Sequence, residues 1–196
     1  MADPRHELLR LLYRHSFQYS AEPTFRLASG RLSQYYINCK ATTFLAPAMP
    51  LVGRLLWEAV RPVSPNAVGG LTLGADPLAY SVAFVSGLEG KPVHAFSVRK
   101  EPKPHGLMRW IEGYSAPGAR VAILEDVITT GESTLKAIRG AEEGRFRVVS
   151  VAVLVDRQEG GRERVEAAGY PFVALYTRED FMALHRAEGG ATESRS

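Results

Sequence analysis

The stretch VAILEDVITTGEST, residues 121–134, decides the fold. It begins as an unbroken apolar run, meets two adjacent acids, Glu125 and Asp126, and then turns polar through Thr129, Thr130, Gly131, Glu132, Ser133 and Thr134. An uninterrupted apolar run suits a strand of a parallel sheet that is covered on both faces. The Thr-, Gly- and Ser-rich stretch after it has the composition of a turn that opens a helix. In an open α/β sheet, ligands sit beyond the carboxyl ends of the strands, where these polar residues fall.

Similar runs recur on either side. AVGGL from Ala67, VHAFSV from Val93, RVAIL from Arg120, VVSVAVLV from Val148 and FVALY from Phe172 are the five expected strands. Helices are expected to begin near Asp76-Pro77, Glu132, Gly161 and Thr177. The alternation predicts an α/β class: an open, mostly parallel twisted sheet flanked by helices. Upstream the texture differs. Asp3-Pro4 reads as an N-cap and first helical position, followed by Leu8, Leu9 and Leu12 at helical spacing. FRLASGRLSQYYINCK, residues 25–40, predicts two short strands around a turn at Ser29-Gly30. A second helix opens near Pro47, carries Val52, Leu55, Leu56, Ala59 and Val60 on one face, and stops before Pro62. Residues 1–61 thus form a small N-terminal α+β hood and 62–186 the core, and the small, polar residues 187–196 are expected to be a disordered tail.

Composition sets limits. A chain of 196 residues, 45% apolar and 23% charged, can bury one full core and reads as a globular protein. The net charge of +3 comes from basic residues spread along the chain, not from the dense stripe of a nucleic-acid binder. The single cysteine, Cys39, excludes an intrachain disulfide and reads as a small buried hydrophobe. No apolar run approaches 18 residues, and MADPRHELL has no apolar leader region, so a cytoplasmic protein without membrane contact is expected. His6, His15, His94 and His185 show no metal-ligand spacing, so no metal site is expected from protein side chains alone.

Residues 130–134 place backbone N–H groups and hydroxyls at a helix N-terminus, an anion cradle that Gly131 lets a phosphate approach closely. Acids beside such a cradle repel phosphate and need another partner, either sugar hydroxyls or a metal. Phosphate at one end and a diol at the other describe a ribose phosphate. The blander reading is an N-capped helix with two exposed acids. Neither GxxxxGK[ST] nor GxGxxG occurs. The segment closely resembles the motif by which type I phosphoribosyltransferases bind phosphoribosyl pyrophosphate (PRPP). That resemblance implies PRPP contacts from Glu125, Asp126, Val127, Ile128, Thr129, Thr130, Gly131, Glu132 and Ser133.

Three further segments narrow the acceptor. VRKEPKPHG, residues 98–106, packs Arg99, Lys100, Lys103 and His105 into seven positions broken by Pro102 and Pro104, which reads as an exposed loop. It resembles the RKExKxHG catalytic loop of orotate phosphoribosyltransferases. The resemblance implies that Lys103 is the leading catalytic residue, with Arg99 and His105 on the pyrophosphate. It also implies that Lys100 reaches the neighbouring subunit's site, and hence a homodimer. Pro104 stands where the family often has an acid. Residues 25–40 are similar to the family's FxLxSGxxSxYY signature, which implies that Tyr35 and Tyr36 stack against orotate while Ser29 and Gly30 hydrogen-bond to it. Some members carry Lys at the positions matching Ala28 and Leu73, so here the basic loop must carry more of the pyrophosphate charge. In LVDRQEGG, residues 154–161, Arg157 is suited to pair bidentately with a planar carboxylate, and the resemblance assigns orotate contacts to it and to Thr129. Mg²⁺ would arrive with the pyrophosphate, water-bridged to Asp126.

The reaction implied is transfer of the 5-phosphoribosyl group from PRPP to orotate, giving orotidine 5′-monophosphate and pyrophosphate. The hood would cover the base pocket. Two other readings share the PRPP segment: a purine-type phosphoribosyltransferase and a non-catalytic PRPP-sensing regulator.

Overall fold

Strand β8 (Arg120–Ile128) lies inside a six-stranded sheet in the computed structural model, which describes residues 3–26, 30, 32–101 and 110–189. The five predicted strands are present as β5 (Ala67–Leu71), β6 (His94–Val98), β8, β9 (Arg147–Asp156) and β10 (Phe172–Thr177). The sheet order is β10-β9-β8-β5-β6-β7, and every pairing is parallel except that of β7 (Ile111–Gly113), which lies antiparallel on the β6 edge. Sequence reading missed β7 because three residues, Ile-Glu-Gly, carry no apolar run. Strand β8 also runs past its expected end at Leu124, through both acids to Ile128.

Helices α4 (Asp76–Leu88), α5 (Glu132–Glu143), α6 (Gly161–Ala167) and α7 (Arg178–Ala187) begin where the sequence places them. Asp180 fixes the start of α7 by accepting from both the backbone N–H (2.7 Å) and the hydroxyl (2.9 Å) of Thr177.

In the hood, Asp3 accepts the Arg5 N–H at 3.0 Å and caps α1 (Pro4–Ser16), as its sequence predicts. The hairpin is more elaborate than expected. Strands β2 (Phe25–Arg26) and β3 (Leu32–Ser33) pair with each other, while β4 (Tyr35–Ile37) pairs antiparallel with β1 (Phe17–Tyr19), which directly follows α1. Neither β1 nor the one-turn helix α2 (Lys40–Thr43) has a signal of its own at that length. Helix α3 (Met49–Val60) stops before Pro62 as expected, and a 3₁₀ turn, Arg61–Val63, carries the chain on.

Alternating side chains of the central strands feed two layers. On one side Leu124 and Leu154 join Leu78 of α4, Leu56 of α3, Leu8 of α1 and Phe181 of α7. On the other, Ile123, Val151 and Val153 meet Ile138 of α5 and Val165 of α6. The first layer contains hood and core residues together, so the hood is seated on the sheet by shared apolar burial. Cys39 is fully buried there, as the sequence predicts, and burial holds its thiol well above the ordinary range.

Helix α7 closes this layer. The Phe181 ring lies 5.5 Å from Phe17, and buried His185 places Nδ1 2.9 Å from the Tyr13 hydroxyl. Replacing Phe181, which has no exposed surface, with Ala should cost about 3–5 kcal/mol in urea unfolding. A loss below about 1 kcal/mol would show that this ring does not seat the hood.

Candidate active site

The carboxyl ends of β8 and β9 and the hood strand β4 surround a cavity of about 620 Å³. Its floor is the turn between β8 and α5. Gly131 is the N-cap of α5 at φ 78°, a left-handed conformation that glycine adopts freely. No side chain caps that helix, so its first-turn N–H groups are available to an anion. The turn is packed tightly from below, because a Cβ on Gly161 at the start of α6 would lie 2.5 Å from the Thr129 carbonyl oxygen. Arg157 N–H donates to the Ile128 carbonyl at 3.0 Å, which ties the two strand ends together.

The two acids have different environments. Successive residues of a strand point to opposite faces. One oxygen of Glu125, Oε2, accepts the hydroxyls of both Ser133 and Thr134 at 2.9 Å, so this carboxyl is fastened to the first turn of α5. Burial first, and then the charge of Asp126, push the Glu125 carboxyl up to about 7, against the two hydroxyl bonds that favour ionisation. Asp126 instead meets the hood, with Lys40 Nζ 3.4 Å from its Oδ2. The turn between β5 and α4 presses on it as well: a Cβ on Gly74 would come within 2.5 Å of Asp126 Oδ1. That turn is held by Asp76, which accepts hydroxyls from Thr72 (2.6 Å) and Ser97 (2.7 Å).

Arg157 is the most constrained charge in the site. Its side chain is 5% exposed, and its guanidinium lies over the Tyr35 ring at 4.8 Å. Glu159 Oε1 is 2.9 Å from Nη2 but off the direction of its N–H bonds. Both Nε and Nη2 are shielded from solvent and lack a hydrogen-bond acceptor among the described residues. These nitrogens share one edge of the guanidinium, the fork that grips a carboxylate with two parallel bonds.

Of the residues singled out from sequence, the cavity brings together Tyr36, Glu125, Asp126, Val127, Thr129, Thr130, Glu132, Ser133 and Arg157. Ile128 points its side chain into the core. Tyr35 and Tyr36 separate, as strand neighbours must. Tyr36 lines the cavity and stacks on Phe25 at 6.1 Å, whereas Tyr35 packs against Phe17 and under Arg157. Arg99 and Lys100 stand at the end of β6, outside the cavity lining, and Arg99 pairs with Glu112 of β7 at 3.0 Å. Lys103, His105, Ala28 and Ser29 lie outside the described residues. Sequence reading missed Arg26, Asn38, Lys40 and Glu159 in the lining. Lys40 and Glu159 stood inside quoted segments, but only the fold carries Lys40 across to Asp126. Among the described residues no group of three or more His, Cys, Asp or Glu is placed to hold a metal.

An acid pair beside an uncapped helix start, at the carboxyl edge of an open parallel sheet, defines a type I phosphoribosyltransferase. No family model matches the chain, but individual relatives are close. An orotate phosphoribosyltransferase of Aquifex aeolicus is 47% identical over 178 residues, covering 91% of this chain and 97% of the relative. The crystal structure of the Mycobacterium tuberculosis orotate phosphoribosyltransferase with Fe(III) dicitrate superposes with a TM-score of 0.81 at 38% identity, covering 91% and 99% of the two chains. A structure of the same enzyme with PRPP gives 0.76 at 35% identity, covering 92% and 99%. The chain belongs to the orotate phosphoribosyltransferase family and is an enzyme of that activity. The purine-acceptor and sensor readings are set aside.

The Glu125 carboxyl yields a pH test. Its value in the fold lies above its ordinary 4.5, so the protonated form favours folding. That stabilisation is complete below about 4.5 and is lost as pH rises through about 7. Glu125→Gln should flatten the fall in urea stability between pH 5 and 8 relative to wild type. Parallel pH profiles for the two proteins would contradict the assignment.

Proposed function

We propose that phosphoribosyl transfer takes place in the 620 Å³ cavity. The 5-phosphate rests on the first-turn amides of α5, Ser133 among them, and on the hydroxyl of Thr130. The ribose hydroxyls donate to Glu125 and Asp126. Orotate lies between Thr129 and Arg157, with Tyr36 on the cavity wall. The observation that carries this reading is Arg157 in the wall of the cavity that holds the phosphate cradle, with Nε and Nη2 lacking a hydrogen-bond acceptor among the described residues. A purine base has no carboxylate to pair with Arg157.

The chain's own residues bind, orient and exclude water. Cys39 is fully buried outside the cavity lining, and the scheme calls for no covalent intermediate, so positioning and electrostatics supply the acceleration. Negative charge grows on the departing pyrophosphate, and the basic loop that begins at Arg99 and Lys100 and continues through Lys103 and His105 would balance it. Asp126 lines the cavity, and a carboxylate there suits an outer contact to a hard divalent cation that keeps most of its waters. Mg²⁺ bound with the pyrophosphate would neutralise charge there, with Asp126 as a water-bridged contact.

Homodimerisation is part of the same reading. A second hollow of about 830 Å³ is lined by Phe44, Met49, Leu73, Tyr80, Phe84 and Leu88, all of them exposed. A contiguous apolar surface of this kind marks an association site. Such a pair is what a Lys100 shared between subunits requires. Sedimentation should find a dimer at micromolar concentration and a monomer for Phe84→Asp. A monomeric wild type would remove the dimer, and a variant that stays dimeric would remove this hollow as its interface. We assign the enzyme to the cytoplasm from its single cysteine and soluble-protein composition; no described helix is long and apolar enough to cross a membrane.

The direct test is formation of orotidine 5′-monophosphate from orotate and PRPP with Mg²⁺, and its failure with adenine or hypoxanthine. Lys103→Ala should lower turnover at least about a hundredfold while the melting temperature holds. Near-normal turnover would remove that residue from the chemistry.

A further inference from the structure

Glu159 is an acid in the cavity lining whose side chain has no part in the scheme above, and it touches both Arg157 and Tyr35. It lies two positions beyond Arg157 in the turn after β9, and its side chain is 12% exposed. Its Oε1 accepts the Tyr35 hydroxyl at 3.3 Å and sits 2.9 Å from Arg157 Nη2. The Tyr35 ring in turn lies under the Arg157 guanidinium at 4.8 Å, and its hydroxyl also meets Arg178 at the start of α7.

A buried guanidinium needs a counter-charge, and a carboxylate that bonded it squarely would fill the fork that a substrate carboxylate requires. Glu159 is near enough to balance the charge while standing off the N–H directions, so Nε and Nη2 keep their hydrogens unclaimed. By accepting Tyr35 with the same oxygen, it also fixes the ring that supports the guanidinium from below. We propose that Glu159 is a positioning residue for the acceptor base: it locks Arg157 and Tyr35 into one unit in the cavity wall. This rests on the reading of Arg157 as the orotate carboxylate's partner.

Steady-state kinetics on four variants test it. Glu159→Ala should raise the KM for orotate at least about tenfold, with the PRPP KM within about twofold and kcat little changed. Glu159→Asp withdraws the carboxylate by one methylene and should raise the orotate KM at least about threefold, and it carries the test if the Ala variant does not fold. Glu159→Gln keeps an acceptor for Tyr35 but loses the counter-charge, so its orotate KM should fall between those of wild type and Glu159→Ala. An unchanged orotate KM in Ala and Asp variants overturns the proposal. So does a parallel rise in both KM values, which is the mark of general loosening. Arg157→Lys separates the two readings. If it leaves the orotate KM unaltered, the Arg157 assignment fails; if it raises that KM while the Glu159 variants do not, only the Glu159 role fails.

Discussion

One carboxyl oxygen organises the active end of this molecule. Glu125 Oε2 takes hydroxyl bonds from both Ser133 and Thr134, and it can do so only because β8 continues past the apolar run and carries the acid into the interior. The two bonds fasten the first turn of α5 to the strand that precedes it. The anion-facing amides are therefore held to the sheet itself. Gly131 supplies the left-handed step between strand and helix, and Gly161 permits α6 to press on the turn from below. Every one of these contacts is local in space and joins elements distant in kind: strand, turn and helix.

The same end of the sheet separates charges that are adjacent in sequence. Glu125 is drawn towards α5, Asp126 towards Lys40 of the hood. Glu125 is paired with neutral hydroxyls and Asp126 with an ammonium, and the Glu125 carboxyl is raised first by its burial and then by the charge of Asp126, against those hydroxyl bonds. Arg157, at the neighbouring strand end, is balanced by Glu159 and supported by Tyr35.

Patterns longer than about five residues were legible in the sequence, and so were strong local chemistries. The five parallel strands, the Asp3 cap, the helix starts at Asp76 and Glu132, and the acid–Thr–Gly turn all carry their signal within a few positions. Elements that exist only through pairing did not. β1 is a strand because β4 lies beside it, and β7 because β6 has an open edge. Residue types placed Arg157 and the acids at strand ends, but they gave no sign that Tyr35 supports the arginine while Tyr36 faces the cavity. That division follows from the strand's period of two, once the pairing of β4 sets which face is which. Lys40 and Glu159 escaped for a similar reason, since their partners are 86 and 124 positions away.

The two ends of the described chain meet. Tyr176 donates its hydroxyl to the Arg5 carbonyl, the Arg5 guanidinium reaches the Leu175 carbonyl, and Tyr13 meets His185. A ribosome delivers these partners about 170 residues apart, so the first helix emerges long before anything can receive it. Until β10 and α7 leave the exit tunnel, the apolar stripe of α1 has only part of its bed. The hood therefore gains its last contacts only once β10 and α7 have been made.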